Sequence, residues 1–175
     1  MGQNLICDES DINRILLRMA HEIIEIHRGV ENLAIIGIHT RGVFLAKRLS
    51  SIIHNIENVE IQTGDVDITL YRDDWTRISH HPIVKTTLIP FSIDNKNIVL
   101  VDDVLFTGRT VRSAMDEIMD FGRPGRVELA VLVDRNHREL PIQANYVGKF
   151  IETTKKQRVN VMLKESDGED KIVIE

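Results

Sequence analysis

Apolar residues near the start of the chain recur every three or four positions, the spacing of one face of an α-helix. The face comprises Ile12, Ile15, Leu16, Met19, Ile23 and Ile26. Asp8, Ser10 or Asp11 could cap the N-terminus of this helix, and Gly29 lies just past its predicted end. The same spacing predicts helices over residues 43–53 and 109–121, the second of them with Val111, Met115, Ile118 and Met119 on its apolar side.

Short apolar runs lie between these helices. Residues 33–38 and 98–101 are continuously apolar and residues 127–133 are apolar except for Glu128, which is typical of strands buried on both faces. Residues 59–70 alternate and predict a further strand, and residues 146–147, 158–163 and 171–174 could form short ones, with a turn at 166–170. Strands that alternate with helices predict an α/β fold with a mostly parallel central sheet. At 175 residues we expect one domain spanning 1–175, since a domain has about 100–200 residues.

Residues 71–82 interrupt this pattern with a polar segment that contains Arg72, Trp75, His80 and His81. The segment is longer than most connections, and long loops are often lids over functional sites. The two histidines have no carboxylate or cysteine partner at metal-ligand spacing. We therefore predict no protein metal site there.

Charge and cysteine content exclude several classes of protein. The net charge of −5 disfavours a protein that simply coats nucleic acid. Residues 122–158, with 8 Lys or Arg against 4 Asp or Glu, are either an anion-facing surface or an ordinary solvated face. The single cysteine, Cys7, cannot form an internal disulfide. No signal peptide and no apolar run of about 20 residues is visible, so we expect a cytoplasmic protein.

The strongest chemical signal lies where a buried strand meets a helix. The predicted strand at 98–101 is followed by a predicted loop at 102–108, which begins with Asp102 and Asp103 and leads into the helix. Ligands of open α/β sheets bind at the carboxyl ends of the strands, and helix N-termini attract anions. The carboxylates suit sugar hydroxyls and the helix start suits a phosphate, so the segment fits a ribose 5-phosphate. It is not a Walker loop, because Gly-Lys-Ser/Thr is missing.

This segment resembles the phosphoribosyl pyrophosphate (PRPP) signature of type I phosphoribosyltransferases. The motifs GIHTRG at 37–42, DITLYRDD at 67–74 and LVDRNHRELP at 132–141 resemble the PyrR family, and the similarity extends from about residue 20 to residue 149. The resemblance implies the type I phosphoribosyltransferase fold with a small hood and a flexible lid loop. It also implies a uracil phosphoribosyltransferase that makes UMP and pyrophosphate from uracil and PRPP. Mg²⁺ would arrive bound to PRPP.

The same resemblance assigns roles to particular residues. Asp102 and Asp103 would bind the ribose hydroxyls, the turn Thr40, Arg41 and Gly42 would bind pyrophosphate, and Arg72 would close with its loop over PRPP. The remaining PRPP-loop residues are Val104, Leu105, Phe106, Thr107, Gly108, Arg109 and Thr110, of which the last four would hold the 5′-phosphate. Asp134 and the backbone at Val147 would lie beside the base. Alternatively, Asp134 could pair structurally with Arg135 or Arg138.

Phe106 bears on which base is used. Purine-using relatives have an aspartate at this loop position, so an apolar ring favours a pyrimidine. A purine-salvage transferase is therefore a weaker alternative.

The PyrR resemblance also implies regulation of pyrimidine genes by UMP-dependent binding to leader mRNA, that is, transcription attenuation. Arg18, His21, Arg138 and Lys149 would form the RNA-binding face of a homodimer or higher homo-oligomer, with neither DNA nor a membrane as partner. Leu17, Gln143 and Asn136 replace the usual Thr, Arg and Gly. Two alternatives stay open: mainly a regulator with vestigial activity, or a pure salvage enzyme without RNA binding.

Overall fold

The predicted apolar strands form a parallel sheet at the centre of the structure. This computed structural model describes residues 4–69 and 86–175. The central strands are β2 (Leu33–Ile38), β3 (Gln62–Val66), β4 (Asn97–Leu105), β5 (Arg126–Asp134) and β6 (Tyr146–Phe150). They lie in the order β3-β2-β4-β5-β6, and all adjacent pairs are parallel. The α/β prediction is therefore confirmed.

Helices cover both faces of this sheet because their apolar sides and the sheet bury one another. Helices α1 (Glu9–His27) and α2 (Arg41–Glu57) contribute to one core cluster, and α3 (Arg109–Met119) contributes to the other. Asp8 caps α1 in a capping box with Asp11. Two residues of the predicted apolar faces, Ile26 and Met119, are instead exposed, since each lies in the last turn of its helix.

A second, antiparallel sheet joins the two ends of the described chain. Its strands β1 (Asn4–Cys7), β8 (Lys171–Ile174) and β7 (Val159–Met162) lie in that order. A one-turn helix, α4 (Lys164–Asp167), connects β7 and β8, so the predicted turn at 166–170 is partly helical. We call these strands together with α4 the hood. The sequence predicted β7 and β8 but missed β1.

Strand order places a crevice at the middle of the sheet. The chain moves from β2 outward to β3 and then returns past β2 to β4, so the order reverses between β2 and β4. Such a reversal opens a ligand-binding crevice at the carboxyl ends of the two strands. Strand β4 extends to Leu105, four residues beyond the predicted 98–101, so the predicted loop at 102–108 is wrong for its first four residues.

The predicted lid at residues 71–82, with Arg72, Trp75 and the two histidines, lies outside the described residues. Strand β3 is also shorter than the predicted 59–70. In the described ranges, no helix combines the length and apolar character needed to cross a membrane.

Candidate active site

The segment after β2 lies directly against the backbone of β4. Arg41 and Gly42 of the predicted turn form the first two residues of α2, and Thr40 is its N-cap. A Cβ atom at Gly42 would lie 2.4 Å from the carbonyl oxygen of Val101 and 3.2 Å from the Cα of Asp102. A Cβ at Gly37 would likewise lie 2.5 Å from the Cα of Val43. Only glycine fits at such distances, so these positions bring Thr40 and Arg41 against the crevice. The peptide bond between His39 and Thr40 is cis.

Asp102 and Asp103 lie within the last part of β4 rather than after it. Asp102 is buried and Asp103 is half-buried. The backbone N–H of Asp103 donates to Asp102 Oδ1 at 2.9 Å, and that of Val104 donates to Asp103 Oδ1 at 2.8 Å. These hydrogen bonds fix both carboxylates at the carboxyl end of the strand, beside the turn that contains Gly42.

Burial disfavours the ionised form of both acids. Burial and then the neighbouring Asp103 carboxylate raise the pKa of Asp102 well above its usual value. Burial also raises the pKa of Asp103, against the opposing effects of the hydrogen bond with Asp102 and the positive charge of Arg41. A cation or hydroxyl donors placed here would therefore stabilise the ionised form of both acids.

The start of α3 presents backbone to the same end of the sheet. Gly108 has φ +91° and occupies the N-cap position, where it provides no side-chain cap and where a Cβ would meet the side chains of Ile142 and Leu140 at 3.3 and 3.6 Å. Arg109 N–H contacts the Thr107 hydroxyl at 3.4 Å, and Thr110 is exposed. A helix N-terminus in this position carries partial positive charge suited to a phosphate.

Two of the predicted ligand-binding residues also serve the core. The Leu105 side chain is buried in the apolar cluster beneath α3, so only its backbone could reach a ligand. Val104 is half-buried and packs against the other cluster.

The guanidinium of Arg41 is paired with a carboxylate that the sequence did not single out. Its Nε and Nη2 donate to the two oxygens of Asp167 in α4, at 3.1 and 2.8 Å. Asp167 belongs to a stretch that the sequence identified only as a turn. No local pattern reveals this contact, because 126 positions separate the two residues.

Asp134 is held by the loop that follows it. Arg138 donates to Asp134 Oδ2 through a close ion pair and donates to the carbonyls of Phe106 and Ile142, each at 3.0 Å. Asn136, in left-handed backbone at φ +62°, donates its N–H to Asp134 Oδ1. This geometry favours the structural alternative for Asp134. It also directs the guanidinium of Arg138 inward, away from the role expected of an RNA-binding side chain.

The Phe106 ring is packed among cationic and aromatic groups. The Arg135 guanidinium carbon lies 4.1 Å from the ring centroid, and the His137 ring meets the Phe106 ring edge-on at 5.9 Å. Arg135 is buried and also donates to the carbonyls of Thr154 and Gln157. This cluster, which the sequence did not predict, fixes the position of the ring.

Three of the four predicted RNA-binding residues lie on α1 and on the strand next to it. Arg18 donates to the carbonyls of Val147 and Gly148 on β6, so the Val147 carbonyl already has a partner. His21, one helical turn further, is exposed, as is Lys149 on β6. Leu17, the departure from the PyrR pattern noted above, is exposed beside them.

Comparison with known proteins defines the class of this protein. A model of the phosphoribosyl transferase domain matches residues 8–166. The hypoxanthine phosphoribosyltransferase of Staphylococcus aureus shares its fold, with a TM-score of 0.67, 23% identity and coverage of 86% of this chain and 79% of that one. The hypoxanthine phosphoribosyltransferase of Trypanosoma cruzi gives a TM-score of 0.72 at 18% identity, covering 98% of this chain and 95% of that one. The chain therefore has a phosphoribosyl transferase domain with the corresponding fold.

Closer relatives narrow this class. The Bifunctional protein PyrR of Desulfosudis oleivorans is 59% identical over 170 residues, which are 97% of this chain and 94% of that protein. Those of Clostridioides difficile and Bacillus mycoides are 54% and 53% identical, and each alignment covers 97% of this chain and 96% of the relative. The chain therefore belongs to the PyrR family of phosphoribosyltransferases.

Proposed function

We propose that this chain is a uracil phosphoribosyltransferase that converts uracil and PRPP to UMP and pyrophosphate. The observation that supports this proposal most directly is the crevice between β2 and β4. It brings the segment with Arg41, the two acids of β4 and the start of α3, which no side chain caps, to one end of the sheet. These three parts match the three parts of PRPP, which are pyrophosphate, ribose and 5′-phosphate.

Each part contributes a different interaction. Asp102 and Asp103 accept hydrogen bonds from the ribose hydroxyls, and the α3 start with Thr107, Gly108, Arg109 and Thr110 holds the 5′-phosphate. Arg41 and the backbone at Thr40 and Gly42 bind pyrophosphate. A guanidinium is suited to this because it stays charged and can donate two parallel hydrogen bonds.

The carboxylate pair also fits a divalent cation that arrives with its substrate. Two acids, each already accepting a backbone hydrogen bond, are too few for a complete protein cage. Among the residues described, no cluster of three or more His, Cys, Asp or Glu could hold a metal. Mg²⁺ prefers phosphate, hydroxyl and water oxygens, and when bound with PRPP it neutralises charge on the leaving pyrophosphate.

The reaction is a displacement at the anomeric carbon of the ribose. The bond from that carbon to the pyrophosphate oxygen breaks, and the bond to uracil N1 forms as N1 loses its proton to water or to a PRPP oxygen. Positive charge develops on the ribose and negative charge on the pyrophosphate. The acids next to the ribose stabilise the developing positive charge, and Arg41 next to the pyrophosphate stabilises the developing negative charge. Together they hold the reactants in line. The expected closing role of Arg72 belongs to this proposal.

Uracil as the base follows from Phe106 and its surroundings. The ring, fixed by Arg135 and His137, offers no carboxylate to a purine. Because Asp134 is held by Arg138, the neighbouring backbone is better placed than that carboxylate to read the uracil edge.

We also propose that the chain regulates pyrimidine genes by UMP-dependent binding of leader mRNA, as a homodimer or larger homo-oligomer. Arg18, His21 and Lys149 on α1 and β6 support this. Arg18 links that surface to the strand whose Val147 is expected beside the base, so the nucleotide could influence RNA binding through β6.

Conversion of labelled uracil to UMP in the presence of PRPP and Mg²⁺ tests the enzymatic part. We expect uracil to react and hypoxanthine and guanine to fail. Purine nucleotide formation at a matching rate would overturn the base assignment. The regulatory part is tested by titrating a pyrimidine-operon leader RNA with and without UMP, and absence of UMP-dependent binding at low salt would leave only the enzyme.

A further inference from the structure

Two arginines on one face of α2 attach that helix to the hood. Arg41 and Arg48 are seven residues apart, which is about two helical turns, so they lie on the same side of α2. Their partners are three acids, Glu165 and Asp167 of α4 and Asp170, which lies between α4 and β8. The two arginines nevertheless differ, because only Arg41 belongs to the turn that faces the crevice.

Arg48 anchors the hood independently of the site. Its guanidinium makes paired hydrogen bonds with Glu165, at 2.9 and 2.6 Å, and with Asp170, both at 2.8 Å. Asp170 is buried and accepts a further hydrogen bond from the backbone N–H of Lys164. Bidentate pairs of this kind fix orientation as well as distance. They hold α4 against α2 without help from Arg41.

The Asp167 carboxylate is itself fixed from within the hood. Its Oδ2 accepts from the backbone N–H of Leu163 at 2.9 Å and from the Ser166 hydroxyl at 2.6 Å. These donors, together with Arg41, lower the pKa of Asp167 and keep it ionised. The Asp167 carboxylate is therefore a fixed negative charge with which the long Arg41 side chain forms an ion pair.

We propose that Asp167 is a positioning residue for the pyrophosphate end of PRPP, acting through Arg41, an inference that rests on the proposed function. Asp167 engages Nε and Nη2 of Arg41, and the pair does not require Nη1. The guanidinium is thereby held next to Asp103, whose pKa it lowers. Arg41 then meets pyrophosphate already oriented, without first losing the freedom of a long side chain.

The geometry favours positioning over an inhibitory latch. An inhibitory latch would occupy the donors that pyrophosphate needs, whereas Asp167 engages only Nε and Nη2 of Arg41. A bound diphosphate can share the guanidinium by using its remaining edge. Loss of Asp167 should consequently weaken PRPP binding, although it would also remove a competing negative charge.

Calorimetric titration of the full chain with PRPP and Mg²⁺ tests this. Asp167→Asn should weaken PRPP binding by up to roughly tenfold and raise KM for PRPP more than it lowers kcat, with KM for uracil unchanged. Glu169→Gln is the matched control. It removes one negative charge from the same turn, but its carboxylate pairs with Lys171 at 2.7 Å and not with Arg41. The control should bind PRPP as the wild type does.

A double-mutant cycle separates positioning from a general structural effect. Once Arg41→Ala is present, adding Asp167→Asn should cause no further loss of affinity. If Asp167→Asn does not fold, Ser166→Ala serves instead, since it removes one donor that fixes the carboxylate and should weaken PRPP binding in the same direction.

Three results would overturn the inference. They are unchanged or tighter PRPP binding by Asp167→Asn, an equal loss in Glu169→Gln, or a full additional loss in the double variant. Failure of the wild type to bind PRPP would instead overturn the proposed function, and this inference with it.

Discussion

At the scale of single residues, the two acids of β4 combine a functional advantage with a cost in stability. Asp102 is buried, and both burial and the adjacent Asp103 raise its pKa. A carboxylate kept ionised in such a place destabilises the folded state unless a ligand supplies donors. Such a destabilising buried charge is expected at a site that is arranged to bind a substrate.

Replacing Asp102 with asparagine should therefore lower turnover and raise stability. Asp102→Asn keeps an oxygen for the Asp103 N–H but loses the charge-assisted hydrogen bond to ribose, worth about 1.5–3 kcal/mol, or roughly a 10- to 150-fold loss of turnover. Steady-state kinetics of UMP formation provide the measurement. Wild-type turnover in both Asp102→Asn and Asp103→Asn would contradict the ribose assignment.

The stability gain should depend on pH. Because the pKa of Asp102 is higher in the folded than in the unfolded chain, the folded state binds more protons between the two values. Wild-type stability then falls as pH rises from about 3.9, the ordinary aspartate pKa, through the raised one. Asp102→Asn should melt at a higher temperature than the wild type at pH 7, and this difference should shrink towards pH 4. A lower melting temperature at pH 7 would refute this expectation.

Arg138 should contribute to the stability of the folded state, because its guanidinium is directed inward to Asp134. Arg138→Ala would leave Asp134, which is 4% exposed, without its cation, and loss of one partner of a buried ion pair costs about 3–5 kcal/mol. Chemical denaturation measures this. Arg112→Ala is the control, since Arg112 pairs with Asp116 on the surface of α3. Equal stability of the two variants would show that the Asp134 pair contributes little.

At the scale of elements, periodicity predicted most helices and strands but not their ends. The helix over 109–121 and the strands over 33–38 and 127–133 were predicted because burial imposes a clear pattern on them. The predicted strand at 98–101 ends too early because Asp102 and Asp103 are polar, although the hydrogen-bonded pairing of β4 with β5 continues to Leu105. The same two acids are what predicts a ligand site at this end of the sheet. The contact between Arg41 and Asp167 could not be predicted from the sequence, because the two residues are far apart in the chain and belong to different elements.

Gly42 links the β2 turn to the β4 strand. In Gly42→Ala the new Cβ would meet the Val101 carbonyl at 2.4 Å, so the turn must move off β4. We expect a loss of PRPP affinity larger than the loss for uracil, together with reduced stability. Gly168→Ala is an informative comparison, because the added Cβ meets no atom within 4 Å and only its φ of +82° is strained. PRPP affinity in Gly42→Ala equal to that of the wild type would contradict the close packing of the turn.

At the scale of the whole molecule, α1 and β6 together form a surface that contacts the expected base site only through the Val147 carbonyl, among the hydrogen bonds described for Arg18. It carries His21 and Lys149, both exposed, and Arg18, whose guanidinium is shared between Glu22 and the β6 carbonyls. The net charge of −5 opposes non-specific binding of RNA, so affinity must come from a local surface.

Lys149→Ala should weaken binding of leader RNA without changing UMP synthesis. Loss of one phosphate contact should also reduce the log–log salt dependence of binding by about 0.7 on single strands. Filter binding over a range of salt concentrations measures both effects. Lys47→Ala, an exposed lysine on α2, is the control. Equal RNA affinity of the two variants would contradict this assignment of the RNA surface.

The most direct test of the proposed site is a crystal structure of the protein with PRPP and Mg²⁺. We predict the 5′-phosphate at the start of α3, the ribose hydroxyls on Asp102 and Asp103, and the pyrophosphate against Arg41 with its Asp167 pair retained. PRPP bound away from the carboxyl ends of β2 and β4, or bound there in the reverse direction, would contradict the assignment.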